Sequence, residues 1–166
     1  MSSCCPSLDI LLENMKKTRA RNSFITKYGS SQKAIDANNA IERLNTKYDT
    51  SFYMDHEKNS FSICGHREYG PISRRSGLLS DNVTMTLGSR ELKNIENSNN
   101  TIKMIIDNEN NYIVVSLTTM KNNGLLDSDA LAKHRGGVMH DSGRFFYSWS
   151  IDELAQMGVI LYSDIK

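Results

Sequence analysis

Near residue 50 the hydrophobic period of this chain changes from that of a helix to that of a strand, and this limits the folds open to it. Before that point Ala34, Ala37, Ile41, Leu44 and Tyr48 recur at spacings of three and four, which places them on one face of a helix. After it, apolar residues alternate: Phe52 and Met54, Phe61 and Ile63, then Val83, Met85 and Leu87. Ile102, Met104 and Ile106 form one alternating run and Ile113, Val115 and Leu117 another, joined by the polar turn 107–111, the pattern of a β-hairpin.

An earlier helix is expected behind Ser7 as N-cap, with Leu8, Leu11, Leu12 and Met15 at helical spacing. Gly29 stops it, and Ser30 or Ser31 starts the next. Short helices are expected from Ser89, over 127–134, and from Ser150 to Met157. In the last of these Glu153 follows Ser150 by three residues as a capping box, and Gly158 ends the helix. A second hairpin is expected over 136–150, turning at Asp141-Ser142-Gly143, and a last strand over 159–164. The least regular segment, 66–77, reads as an exposed loop. The fold class is therefore α+β: two N-terminal helices followed by a mostly antiparallel β-sheet with short inserted helices. Residues 1–166 read as a single domain, with the order of residues 1–6 left open.

Composition narrows the function only broadly. Hydrophobic residues make up 39% and charged residues 23%, with a formal net charge of +1, so overall charge points to neither nucleic acid nor membrane. No secretory signal or membrane-length apolar run is visible. The three cysteines include the adjacent pair Cys4-Cys5, which suits a reducing compartment better than a disulfide framework. A cytoplasmic location is expected, including the cytoplasm of a host cell. The abundant asparagine and isoleucine fit an AT-rich genome such as that of a phage, a virus or a pathogen.

Charge is distributed unevenly. Lys16, Lys17, Arg19, Arg21, Lys27 and Lys33 fall within 14–35, where there is no acidic residue. Lys16 with Arg19, and Lys17 with Arg21, lie three and four apart, so the first helix ends as a cationic ridge. Arg67, Arg74 and Arg75 around Tyr69 form a second basic group. These residues (Lys16, Lys17, Arg19, Arg21, Lys27, Arg67, Arg74 and Arg75) are the candidate contacts for a protein or nucleic acid with an acidic surface. The leading expectation is thus a small interaction or regulatory protein.

The richest chemistry lies in 134–152. His134 precedes one strand of the expected hairpin and Asp152 follows the other, so the turn brings them side by side. That order, with Cys4 and Cys5 ahead of the first helix, is similar in pattern to the His-bearing hairpin of papain-like cysteine hydrolases. The resemblance implies a Cys5 or Cys4 nucleophile, a His134 base and an orienting Asp152. Pro6 directly after the cysteines, and the shortness of the chain before them, depart from that pattern. A second alternative is metal-independent RNA cleavage by His134 and His140 with Arg135 and Arg144 as cations. The plainer reading is a surface hairpin whose aromatic residues pack a core. Cys64-Gly65-His66 and His134 with His140 lack the spacing of zinc knuckles, so no metal or cofactor is expected, and no membrane partner.

Overall fold

A computed structural model describes residues 8–28, 31–55, 61–75, 77–97, 100–126 and 144–166. Two helices lead: α1 (Leu8–Tyr28) and α2 (Gln32–Tyr48). Strands β1 (Tyr53–Asp55), β2 (Ser62–Gly65), β3 (Glu68–Arg74) and β4 (Val83–Gly88) follow, then α3 (Ser89–Asn97). Next come β5 (Ile102–Ile106), β6 (Tyr112–Ser116) and α4 (Leu117–Asn122). The chain finishes with β7 (Arg144–Trp149), α5 (Ile151–Gln156) and β8 (Ile160–Asp164). The α+β class and the two leading helices are as the periodicity requires.

Six strands form one sheet in the order β1-β2-β3-β5-β6-β8, antiparallel throughout except for the parallel pair β3–β5. Strands β4 and β7 form a separate antiparallel ribbon, with Val83 opposite Trp149 and Gly88 opposite Arg144. The expected partner of β7, 136–140, lies outside the described residues; among those described its partner is β4.

Alternation along the central strands divides the interior into two cores. Ile102, Met104, Ile106, Tyr112 and Val114 point to α2 and meet Ala34, Ala37, Ala40, Ile41 and Leu44. The alanines let the helix lie close to the sheet, where dense packing is what stabilises an interior. Ile105, Ile113 and Val115 point the other way and meet Val83, Met85, Leu87, Ile95, Trp149 and Leu154 from the ribbon, α3 and α5. The sheet curls around α2 so far that Phe52, just before β1, meets Tyr162 of β8 with ring centroids 5.7 Å apart.

Ser31 precedes α2 without a side-chain cap, while other helix ends are capped by side chains or turned by special backbone. Asp49 closes α2 at φ 53. Behind it the Asn45 side chain accepts from the Phe52 N–H and donates to the Phe52 carbonyl, both at 2.9 Å. Ser150 and Glu153 form the expected capping box at α5, and Gly158 turns the chain out of it at φ +70.

The exposed loop expected over 66–77 is not there. His66 and Arg67 make a tight turn, and 68–74 is β3, one of the two central strands. Two residues hide it in the sequence. Gly70 is needed because a Cβ there would lie 1.4 Å from the Ile102 carbonyl oxygen, so β3 and β5 approach closely. Pro71 cannot donate to a ladder and ordinarily argues against a central strand; here it stands opposite Ser62.

Candidate functional site

Helix α1 lies against β1 at the edge of the sheet, a placement that shields an edge strand from pairing with other chains. From Leu8 to Arg19 no side chain is buried; only Glu13 and Lys17 are even half-buried. The Lys17 ammonium sits 6.0 Å from the centre of the Tyr53 ring, at the outer limit of a cation–π contact. Leu8, Leu11, Leu12 and Met15 are 69%, 45%, 49% and 59% exposed. At about 100° per residue these four occupy an arc about 100° wide, and Lys17 falls opposite its centre with Glu13 nearby. Glu13 and Lys17 are therefore the side chains α1 turns to the body, and the leucine stripe lies on the opposite side; Ile10, close to Lys17 in azimuth, is itself 53% exposed. Arg19 continues that outward stripe by one turn, and Lys16 flanks it.

Lys16 and Arg19 are exposed and make no ion pair among the described residues. Arg21 and Lys27 continue the α1 backbone, with their side chains outside the described set.

The second basic group is spread out and largely engaged. Arg74 pairs with the buried Asp36 of α2, which also accepts from Gln32 at 3.0 Å. Arg75 donates to the Asn82 carbonyl and so holds the loop before β4. Arg67 alone of the three stands exposed without an ion pair among the described residues, at φ 61 in the β2–β3 turn.

Asp152 is exposed in the first turn of α5. Cys4, Cys5, His134, Arg135 and His140 lie outside the described residues, as does the side chain of Arg144. Cys64 is buried and His66 is exposed in the turn after it. Among the described residues no three His, Cys, Asp or Glu side chains converge as a metal site.

Among the buried polar residues that sequence reasoning missed, two carry charges held beside the ribbon-side core, Lys103 and Asp107. Lys103 is only 2% exposed, on the ribbon side of β5, with its Nζ 3.6 Å from Glu91 of α3. Alternation puts residue 103 on the face opposite Met104, but does not show that this face is also covered. Asp107 is fully buried and accepts four hydrogen bonds: from the N–H groups of Leu79, Glu109 and Asn111 and from the Asn111 side chain, each at 2.9 Å. Burial pushes its carboxyl up, but those donors more than reverse this and hold it below the ordinary aspartate value.

An open groove of about 570 Å³ runs along the outer face of α2 beside Asn39, Glu42, Arg43, Thr46 and Lys47. Its cations already clasp the sheet. Arg43 donates to the Asn110 carbonyl and lies 3.6 Å from Asp164, while Lys47 donates to the Ser163 carbonyl at 2.8 Å. Beneath Arg43, burial, reinforced by Asp164 and Tyr48, pushes the Tyr112 phenol up to about 12, so it stays neutral.

No protein-family model, curated protein or solved structure matches the chain. No helix among the described residues is long and apolar enough to cross a membrane. The most distinctive exposed feature is α1.

Proposed function

We propose that the protein is a binding module that engages an anionic macromolecular surface through the cationic ridge of α1. The observation that carries this reading is that Lys16 and Arg19 are exposed and make no ion pair among the described residues, on a helix with no buried side chain from Leu8 to Arg19. Several other long cations are used internally: Arg43 and Lys47 hold β8, Arg74 holds Asp36, and Arg75 holds the loop to Asn82, while Arg67 is exposed without an ion pair among the described residues. A cation left unpaired beside other cations raises the local potential and attracts an acidic partner from a distance. The contact surface in this reading is narrower than the sequence suggests, because Arg74 and Arg75 do not contribute to it.

Immobilised heparin serves as a polyanion probe. Lys16→Glu with Arg19→Glu should lower the salt concentration at which the full chain elutes, while Arg74→Gln should leave it unchanged. Unchanged elution of the α1 double variant would remove the reading. The hydrolase and ribonuclease alternatives gain no support, since of their catalytic groups only Asp152 has a described side chain, and it is exposed.

A further inference from the structure

From the outward stripe of α1 we infer that the partner is a protein with an apolar groove closed at one end by carboxylates, into which α1 docks as a helix. The inference rests on the preceding reading that α1 is the contact surface, and it names the partner's class.

A helix that packs on its own domain normally turns its apolar stripe inward. Here Glu13 and Lys17 face the body, while Leu8, Leu11, Leu12 and Met15 face outward at 45–69% exposure. Apolar side chains at i, i+3, i+4 and i+7 are the anchor spacing of helix-in-groove recognition. A contiguous exposed apolar patch of this kind marks an interaction surface.

Charge along the stripe selects among occupants. The first two turns are apolar, and at the same azimuth the third carries Arg19, with Lys16 beside it. A helix lying in a lipid interface keeps its apolar face along its length and its cations on the opposite face; this stripe instead changes from leucine to arginine. Nucleic acid would take the arginine but offers the leucines no apolar cavity. A second copy paired in parallel would set Arg19 against Arg19, and the stripe carries no carboxylate to answer it in either direction. A groove that is apolar at one end and acidic at the other satisfies all five residues.

The test uses the full chain and Ca²⁺-loaded calmodulin as a probe groove of that chemistry, read by fluorescence anisotropy. Binding is expected, and Leu12→Ser and Arg19→Glu should each weaken it by about tenfold or more. Ile10→Ser, which lies off the stripe on the opposite side of the helix and is 53% exposed, should leave it unchanged at equal helix content by circular dichroism. Weakening by Arg19→Glu but not by Leu12→Ser would keep the cationic surface and overturn the groove. Absence of calmodulin binding would also overturn the groove, as would equal sensitivity to Ile10→Ser. Leu12-dependent self-association in sedimentation, or Leu12-dependent binding to phosphatidylserine vesicles, would assign the stripe to another occupant and overturn the inference. Failure of the charge reversals on heparin as well as on calmodulin would remove both readings.

Discussion

Asp107→Asn is the sharpest test of how this fold holds its loops. The carboxylate sits at the start of the β5–β6 turn with no exposure, and its two oxygens each accept two hydrogen bonds. One oxygen takes the Glu109 and Asn111 N–H groups and so shapes the turn. The other takes the Leu79 N–H and the Asn111 amide, and so ties the loop before β4 to the sheet. Asparagine keeps the size but puts an NH₂ in place of one oxygen, and in either orientation that NH₂ faces two donors. The Asn111 amide cannot turn over freely to relieve this, because its Oδ1 accepts from the Lys166 N–H at 3.0 Å. Losing two hydrogen bonds to a charged acceptor costs about 1.5–3 kcal/mol each, with the buried donors left unpaired. We expect about 4 kcal/mol of destabilisation at pH 7, a large part of the roughly 5–15 kcal/mol of a typical domain.

The assay is urea denaturation followed by the fluorescence of the buried Trp149, comparing midpoints at unchanged slope. The same comparison against pH adds a second check. Because hydrogen bonding holds the folded carboxyl below its ordinary 3.8, the unfolded chain takes up this proton first as the pH falls. The contribution of Asp107 is therefore complete above that ordinary value and is lost as pH falls through the folded value. The variant's amide has no proton to gain, so the gap between the two proteins should be constant from pH 8 to about 5 and narrow below about 4. A loss under about 1 kcal/mol at neutral pH, or a gap that widens on acidification, would refute the account.

Two further substitutions probe the interior. Lys103→Met should cost about 2–3 kcal/mol in the same assay because it strands Glu91 beside a core, whereas Lys103→Met with Glu91→Leu should recover most of that loss; a double variant no more stable than the single would contradict this. Gly70→Ala should destabilise by at least about 3 kcal/mol or abolish soluble expression, since its Cβ would strike the Ile102 carbonyl. Gly88→Ala, with open space around it, should stay within about 0.5 kcal/mol in thermal melts.

The parts of the fold legible in the sequence are those where one local rule acts alone. The stripe of α2, the β5–β6 hairpin and the Ser150–Glu153 box all depend on residues a few positions apart. Strand β3 was not legible, because its evidence is not local. Gly70 and Pro71 look like loop residues until Ile102, thirty-two positions away, is seen to need the space that a side chain at 70 would fill. Lys103 was obscured for a related reason. Two-residue alternation assigns it a face, but whether that face meets water depends on a β4–β7 ribbon assembled from segments 83–88 and 144–149.

The same limit applies to α1 and bears on function. Periodicity gives the angle between the leucines and the charges of α1, but not which of them faces the body. That depends on what the body offers. Both faces of the main sheet are already occupied, one by α2 and the other by the ribbon with α3 and α5. At β1 the inward residue is Met54, and the half-buried residues on the other side are Tyr53 and Asp55. The Tyr53 ring takes the Lys17 ammonium at 6.0 Å, and Glu13 and Lys17 are the half-buried side chains of the first three turns of α1. The body thus meets α1 through Glu13 and Lys17 and leaves the leucine stripe exposed, an arrangement in which the stripe's side chains contribute little burial energy to the free protein. Leu12→Ser should for that reason lower stability by no more than the helix-propensity difference, under about 0.5 kcal/mol, far less than a core leucine gives. A clear loss of stability in Leu12→Ser would place the stripe in the domain's own packing and end its candidacy as a contact surface.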